Sequence, residues 1–244
     1  MKFWECPQRG TLIKRYKRFF VDVELETGTC VMAHCVNTGA MLGLTEPGSK
    51  VWVCPKKPQS LGKLPFVWMM EEVKEGHQAK PILVGTNTAI PSMLVKEALT
   101  EKRFPQWSDI KSFKSEPCLG ESRLDFLLTF EHSLVWIEVK NVHLKHNTVA
   151  LFPDCVTQRG TKHLRLLTAL AQQGKTAVML YVVQRNDCSV FQIAGYLDAE
   201  YGKAFEAAHQ AGVVMLAYGC EMSLQGITIQ SCPLEVQGVC WAPF

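Results

Sequence analysis

Apolar and polar positions alternate through residues 10–80 in the way that strands require. From Val21 to Glu26 apolar residues alternate with acids, Thr27 and Gly28 turn the chain, and residues 29–34 return, which is a β-hairpin. Glu46, Pro47, Gly48 and Ser49 form another turn signal, with strands at 51–53 and 64–73. Five or so short strands in about 70 residues predict a small β-barrel, OB-fold-like or SH3-like. Residues 56–63 read as a loop and 74–81 as a linker, which places one domain at 1–80 and a second at 81–244.

The period changes in the second part. Residues 91–99 have helical spacing, with Met93, Leu94 and Leu99 on one side. Two apolar runs at 123–140, broken by Glu131, His132 and Ser133, predict a hairpin. A helix follows, with Asp154 as its N-cap, a buried stripe of Leu164, Leu167, Leu170 and Ala171, and Gly174 at its end. The unbroken apolar run at 177–184 is the signature of a buried parallel strand. A helix at 198–211 and a strand at 213–218 complete a βαβ crossover. Residues 226–230 read as an edge strand and 237–244 as a loosely held tail. The fold class is thus α/β: a small barrel, then a domain with a central mixed sheet. The segments at 37–41 and 87–89, Asn-Thr-Gly-Ala-Met and Asn-Thr-Ala, read as turns with exposed polar groups.

The 123–140 hairpin carries charge where strands disfavour it. Strand alternation puts Glu138 and Lys140 on one face with Trp136, and Val135, Ile137 and Val139 on the other. With the loop centred on Glu131 and His132, Asp125 lies opposite Glu138, their Cβ atoms about 4.5–5.5 Å apart. Two carboxylates that close repel each other unless a cation sits between them. Oxygen ligands point to Mg²⁺ or Mn²⁺, and Lys140 is placed to hold a phosphate oxygen or an attacking water. This is the constellation of a metal-dependent phosphodiesterase. Glu97, on the preceding helix, is a candidate third carboxylate. The bland alternatives are an Asp125 paired with Arg123 and a Glu97 that is merely solvated.

Basic residues cluster in two places. Lys14, Arg15, Tyr16, Lys17 and Arg18, followed by two Phe, can bind phosphates and stack on bases, or can be a solvated edge with buried rings. Gln158, Arg159, Lys162 and His163 fall on the first turns of a helix, where anions are already favoured. The chain has 244 residues, 47 % hydrophobic and 20 % charged, with a net charge of +3, too small to establish a nucleic-acid partner by itself. Ten cysteines without a C-x-x-C pair suggest free thiols. No apolar run follows the first residues and none spans a membrane, so a soluble, cytoplasmic protein is expected. A homo-oligomer is compatible with the sequence.

Several stretches together resemble the sugar fermentation stimulation protein family over roughly residues 9–236. They are Leu12-Ile13-Lys14-Arg15-Tyr16-Lys17-Arg18-Phe19, His34-Cys35-Val36-Asn37-Thr38-Gly39-Ala40-Met41, Ser122-Arg123-Leu124-Asp125-Phe126, Glu138-Val139-Lys140-Asn141-Val142, and Phe152-Pro153-Asp154 through Lys162-His163-Leu164. The resemblance implies an OB-fold followed by a domain similar to the PD-(D/E)xK nucleases, DNA binding, and a regulatory role in sugar (maltose) metabolism. It matches Glu97, Asp125, Glu138 and Lys140 to the nuclease motif. Gln158 and Thr161 depart from the family's Glu and Gln, and Val36 from its Pro. Gln158 hydrogen-bonds but carries no charge, so that position is no longer a base. Two readings follow. In the first, Asp125, Glu138, Glu97 and the Val139 carbonyl hold Mg²⁺ or Mn²⁺, Lys140 serves catalysis, and Arg123, Gln158, Arg159, Lys162, His163 and residues 14–18 hold DNA, single- or double-stranded, or RNA. In the second, the protein is a non-catalytic DNA-binding regulator.

Overall fold

The computed structural model of the chain describes residues 1–57, 62–74, 81–120 and 122–244. Its first sheet contains β1 (Gln8–Tyr16), β2 (Phe20–Leu25), β3 (Cys30–His34), β4 (Lys50–Pro55), β5 (Phe66–Val73) and β6 (Ile82–Gly85), in the order β3-β2-β1-β4-β5-β6. A parallel contact between β3 and β5 closes the first five strands into a barrel. Its interior is filled by Leu12, Val21, Val23, Ala33, Val51, Val53 and Trp68, the inward half of the alternation. β6 continues this sheet to Gly85, past the division expected at 80/81. Most of the expected 56–63 loop and 74–81 linker falls outside the described residues.

The basic-aromatic run is the tip of the β1–β2 hairpin rather than a segment in front of the barrel. Tyr16 pairs with Phe20, and Lys17 and Arg18 make the turn with φ of 48° and 64°. Such values favour Gly or Asn, and neither residue type is present to signal the turn.

The second part comprises α1 (Ile90–Thr100), β7 (Ser112–Ser115), β8 (Cys118–Leu119), β9 (Ser122–Arg123), β10 (Phe126–Thr129), β11 (Leu134–Val142), β12 (Leu144–His146), β13 (Val149–Phe152), α2 (Gln158–Gln172), β14 (Thr176–Val183), β15 (Val190–Ala194), α3 (Ala199–Gln210), β16 (Val214–Met222) and β17 (Ile227–Cys240). β8 and β9 form a separate ribbon, and the other strands form one mixed sheet in the order β12-β13-β15-β17-β16-β14-β11-β10-β7. β14 lies between β11 and β16, parallel to both. Val178, Leu180 and Val182 pack on the α1 face, and Ala177, Met179, Tyr181 and Val183 on the α2 and α3 face. Burial on both faces is why this strand reads as an unbroken apolar run. Cys54, Met69 and Met70 of the barrel join the α1-side core, so the two parts share one hydrophobic cluster.

Three expectations are altered here. The simple crossover is interrupted by β15, which pairs with β13 and β17. Residues 227–230 open a much longer strand, which pairs there with β16 alone and becomes internal only from Glu235, where β15 joins it. The tail is held: Val239 and Cys240 pair with Ile193 and Ala194, and the Trp241 ring lies against Gly195 and Gly202. An added Cβ at either glycine would meet that ring at 2.8 Å.

Glu71 on β5 is almost fully buried, and burial pushes its carboxyl up to about 7, with Glu46 adding to the rise and hydrogen bonds from Thr45 and Ser49 opposing it. A carboxyl raised in the folded state leaves stability intact below the unfolded value near 4.5 and removes it as pH climbs to 7. Glu71→Gln keeps the neutral form throughout. Urea denaturation at pH 8 should show the variant more stable by about 2–3 kcal/mol, with a much smaller gain at pH 5. An equal gain at both values would contradict the assignment.

Candidate active site

β10 and β11 pair antiparallel, with Phe126 opposite Ile137 and Thr129 opposite Leu134. Carried one step further, the register sets Asp125 across from Glu138. Val135, Ile137 and Val139 enter the core beneath α1, which turns Glu138 and Lys140 to the other face.

Asp125 is fixed by two donors. Its Oδ2 accepts the Val139 N–H at 2.8 Å and its Oδ1 the Ser92 hydroxyl at 3.1 Å. Burial, followed by the Glu138 charge, raises its carboxyl to about 6. Glu138 is 3 % exposed. Its Oε1 accepts from Lys140 Nζ at 2.6 Å and is also bonded by His163 Nδ1, which lies 3.2 Å from Lys140 Nζ. Burial pushes Glu138 upward, but the bonds from His163 and Lys140 outweigh it and leave the carboxyl below its ordinary value.

These groups open into a cavity of about 320 Å³ between the barrel and the second sheet. Asn37, Thr88, Asn141, His143, Asp154, Thr157 and Arg159 line the rest of it. The two echoing segments meet there: Thr88 Oγ1 donates to the Val36 carbonyl at 3.3 Å, and Asn37 and Asn87 are both buried. Asn37 and Thr88 are walls of the cavity, while Thr38, Ala40 and Ala89 stay exposed. Asp154 is not a helix cap. Its Oδ2 accepts the Met41 N–H at 2.6 Å, while Thr157 caps α2 by accepting from Gly160 N. Gly39 passes so close to Asp154 that a Cβ would come within 2.9 Å of its carboxylate.

Glu97 lies outside this cluster. It is five residues beyond Ser92, about 140° around the helix axis, and its carboxylate takes the Met1 ammonium at 2.5 Å, with Arg103 at 3.8 Å. Ser92 is the α1 residue that reaches the site. His163 is buried on Glu138 and is not a surface phosphate ligand. Arg159 lines the cavity, Gln158 faces a separate cleft with Val156, Arg165 and Leu197, and Lys162 is exposed. Arg123 pairs with Glu116 at 3.2 Å on the β8–β9 ribbon. Arg15 donates to the Asn37 and Gly39 carbonyls at 2.9 Å, which braces the 37–41 loop instead of leaving its charge free. Lys14 lies 3.5 Å from Asp22 and over the Tyr16 ring, Tyr16 stacks on Phe20, and Lys17 and Arg18 are exposed.

Residues 89–226 match the family model described as the sugar fermentation stimulation protein RE domain, and residues 13–79 match that of the SfsA N-terminal OB domain. The chain belongs to the sugar fermentation stimulation protein family. It is 45 % identical over 229 residues to a homologue from Jannaschia sp. (strain CCS1), covering 92 % of each chain. A homologue from Paramagnetospirillum magneticum is 44 % identical, with 94 % of this chain and 95 % of that one covered. The Pyrococcus furiosus family member SfsA, solved in complex with Ca²⁺, superposes with a TM-score of 0.87 at 25 % identity, over 97 % of this chain and 98 % of that one.

Among the described residues, no three His, Cys, Asp or Glu side chains are grouped to hold a metal ion. A cation at Asp125 and Glu138 would complete its shell with backbone carbonyl, water and phosphate, as Mg²⁺ commonly does. The residues fit such an ion: two carboxylates face one cavity, and the Glu138 charge raises the cost of charge on Asp125.

Removing Glu138 leaves Lys140 with no carboxylate at a largely buried position. Glu138→Ala should cost about 3 kcal/mol in chemical denaturation. Lys111→Ala, which breaks an exposed 3.0 Å pair with Glu131, should cost under about 1 kcal/mol. Equal shifts in the two variants would contradict the electrostatic account.

Proposed function

We propose that the protein is a divalent-metal-dependent phosphodiesterase of nucleic acid, with DNA as substrate. The observation that carries this reading is the convergence of Asp125, Glu138 and Lys140 on one polar cavity at the end of a hydrophobic strand. Asp125 and Glu138 would hold Mg²⁺ or Mn²⁺. The Pyrococcus furiosus relative is described as a Ca²⁺ complex, and Ca²⁺ is a hard cation that prefers the same oxygen ligands. Val139 joins them through its carbonyl, since N–H and C=O of one strand residue point to the same edge and its N–H points to Asp125. When bound, the cation lowers the pKa of a coordinated water and polarises the phosphate.

Lys140 orients the attacking water and answers the charge that develops on the phosphate. His163 holds Glu138 and Lys140 in place. Arg159, at the first turn of α2, grips a neighbouring phosphate, aided by the helix N-terminus. Lys17 and Arg18, with the stacked Tyr16 and Phe20, hold the strand on the barrel. No side chain in the cavity is arranged to read a base pair in a groove, so binding is weakly dependent on sequence and steeply dependent on salt.

Purified protein incubated with labelled DNA should cleave it in Mg²⁺ or Mn²⁺ and not in chelator. Asp125→Ala and Lys140→Ala should abolish cleavage while DNA binding survives. Cleavage that persists in both variants would indicate a contaminant. No cleavage with any metal would leave a DNA-binding regulator of sugar metabolism genes. Arg159→Ala should lower the slope of log K against log salt by roughly 0.7–0.9, and an unchanged slope would remove Arg159 from the phosphate contacts.

A further inference from the structure

The cavity has a second end that the phosphodiesterase reading does not use. His143 is 4 % exposed and lines it, and its Nε2 has no hydrogen-bond partner among the described residues. Buried polar atoms are nearly always paired, so a lone imidazole nitrogen at a cavity wall points to a ligand. Asp154 Oδ2 lies 3.7 Å from that nitrogen. This is too long for a hydrogen bond, yet a ligand atom about 2.8 Å from each fits across the gap.

The chemistry of the pair limits what can bind. An ionised carboxylate only accepts hydrogen bonds and repels phosphate. Burial lowers the His143 imidazole from its ordinary value, Asp154 opposing and Arg185 and Arg15 reinforcing, which disfavours its charged form. The Asp154 carboxylate disfavours an anion beside it, and a ligand atom that bonds it must carry a proton to give. His143 and Asp154 line the same cavity as Lys140 and Arg159, and the charges of Arg185 and Arg15 are also felt at His143.

The wall beside this end is fastened on both sides. Met41 N–H binds Asp154, Arg15 holds the Asn37 and Gly39 carbonyls, and Thr88 binds the Val36 carbonyl. A nucleotide stacked and paired in a duplex cannot enter without first leaving the stack, which costs a few kcal/mol.

We propose that the His143–Asp154 end is a binding subsite for a neutral hydrogen-bond donor, a sugar hydroxyl or a base amino group, of one unpaired nucleotide beside the scissile phosphate. The subsite rests on the phosphodiesterase reading for its neighbour but is tested by binding alone. Fluorescence anisotropy with Ca²⁺ present would compare labelled single-stranded DNA with blunt duplex. Single strands should bind at least about ten-fold tighter. Asp154→Asn keeps an acceptor for the Met41 amide but turns an amide donor toward the ligand. This variant and His143→Phe should each weaken single-strand binding about ten-fold, the loss of one good hydrogen bond. Circular dichroism and melting of Asp154→Asn should match the parent, which keeps the test valid if His143→Phe fails to fold. A strand with an abasic position loses affinity if the donor is on the base and keeps it if the donor is on the sugar. Unchanged affinity in folded Asp154→Asn, or equal binding of duplex and single strand, overturns the subsite even if the protein cleaves DNA. Absence of cleavage with the Asp154 effect intact overturns the nuclease reading and leaves the subsite standing.

Discussion

A carboxylate buried in the middle of a hydrophobic sheet must be met by opposite charge, and Glu138 is that carboxylate. Its neighbours Ile137 and Val139 belong to the core that joins α1, β11 and the barrel, so the strand cannot shift to release it. Lys140 and His163 answer it from the same strand and from α2. Asp125, opposite, is answered less: its direct donors are neutral, a backbone N–H and a serine hydroxyl, and the Lys140 charge acts on it only from a distance. The sheet thus ends in one satisfied acid and one raised acid, an arrangement that favours a cation.

The parts of this that were legible from residues alone followed from period two. Alternation in 123–140, with a loop centred on Glu131 and His132, is enough to derive the hairpin register, because a slip of one residue would bury Glu138, Lys140 and Trp136 beneath α1. Continuous apolar character in 177–184 was enough to place a central parallel strand. Helix positions were harder. Ser92 and Glu97 lie on the same helix, and which of them meets Asp125 depends on the helix's rotation, which packing against β11 and β17 decides and spacing does not. His163 looked like a surface residue because its burial comes from Glu138, far away in sequence. Asp154 precedes a helix and has the chemistry of a cap, yet Thr157 has it too, and only the approach of the 37–41 loop decides between them. β12, β13 and β15 are too short to show a period, so the continuation of β17 past residue 230, where it pairs with β15, has no signal in the sequence.

The 37–41 and 87–89 segments show how polar turn residues can be drawn inside. Turn chemistry predicts exposure because the polar groups need partners, and water is the default partner. Here Asn37 and Asn87 accept the Gly39 and Ala89 N–H groups of their own loops, Thr88 reaches the Val36 carbonyl, Gln184 donates to the Asn87 carbonyl, and Arg15 holds the Asn37 and Gly39 carbonyls. The barrel and the second sheet share apolar contacts through Cys54, Met69 and Met70, which brings these loops together beside β11. A polar cavity at the junction of two units is the common location of binding sites, and here the junction is fixed by a core that both units own.

Charge distribution closes the argument. A net charge of +3 over 244 residues gives little long-range attraction for a polyanion. The cavity lining holds Asp125, Glu138 and Asp154, so without help it would repel the phosphate that the proposed function requires it to take. The cations that counter this are local, with Arg159 at the cavity wall and Lys17 and Arg18 on an exposed turn. Lys140 cannot serve alone, because its ammonium is already bonded to Glu138. A divalent ion between the acids would free Lys140 for the phosphate and cancel most of the negative charge of the lining at once. The acids and the lysine are then parts of one device, in which each charge is useful only when the ion is present.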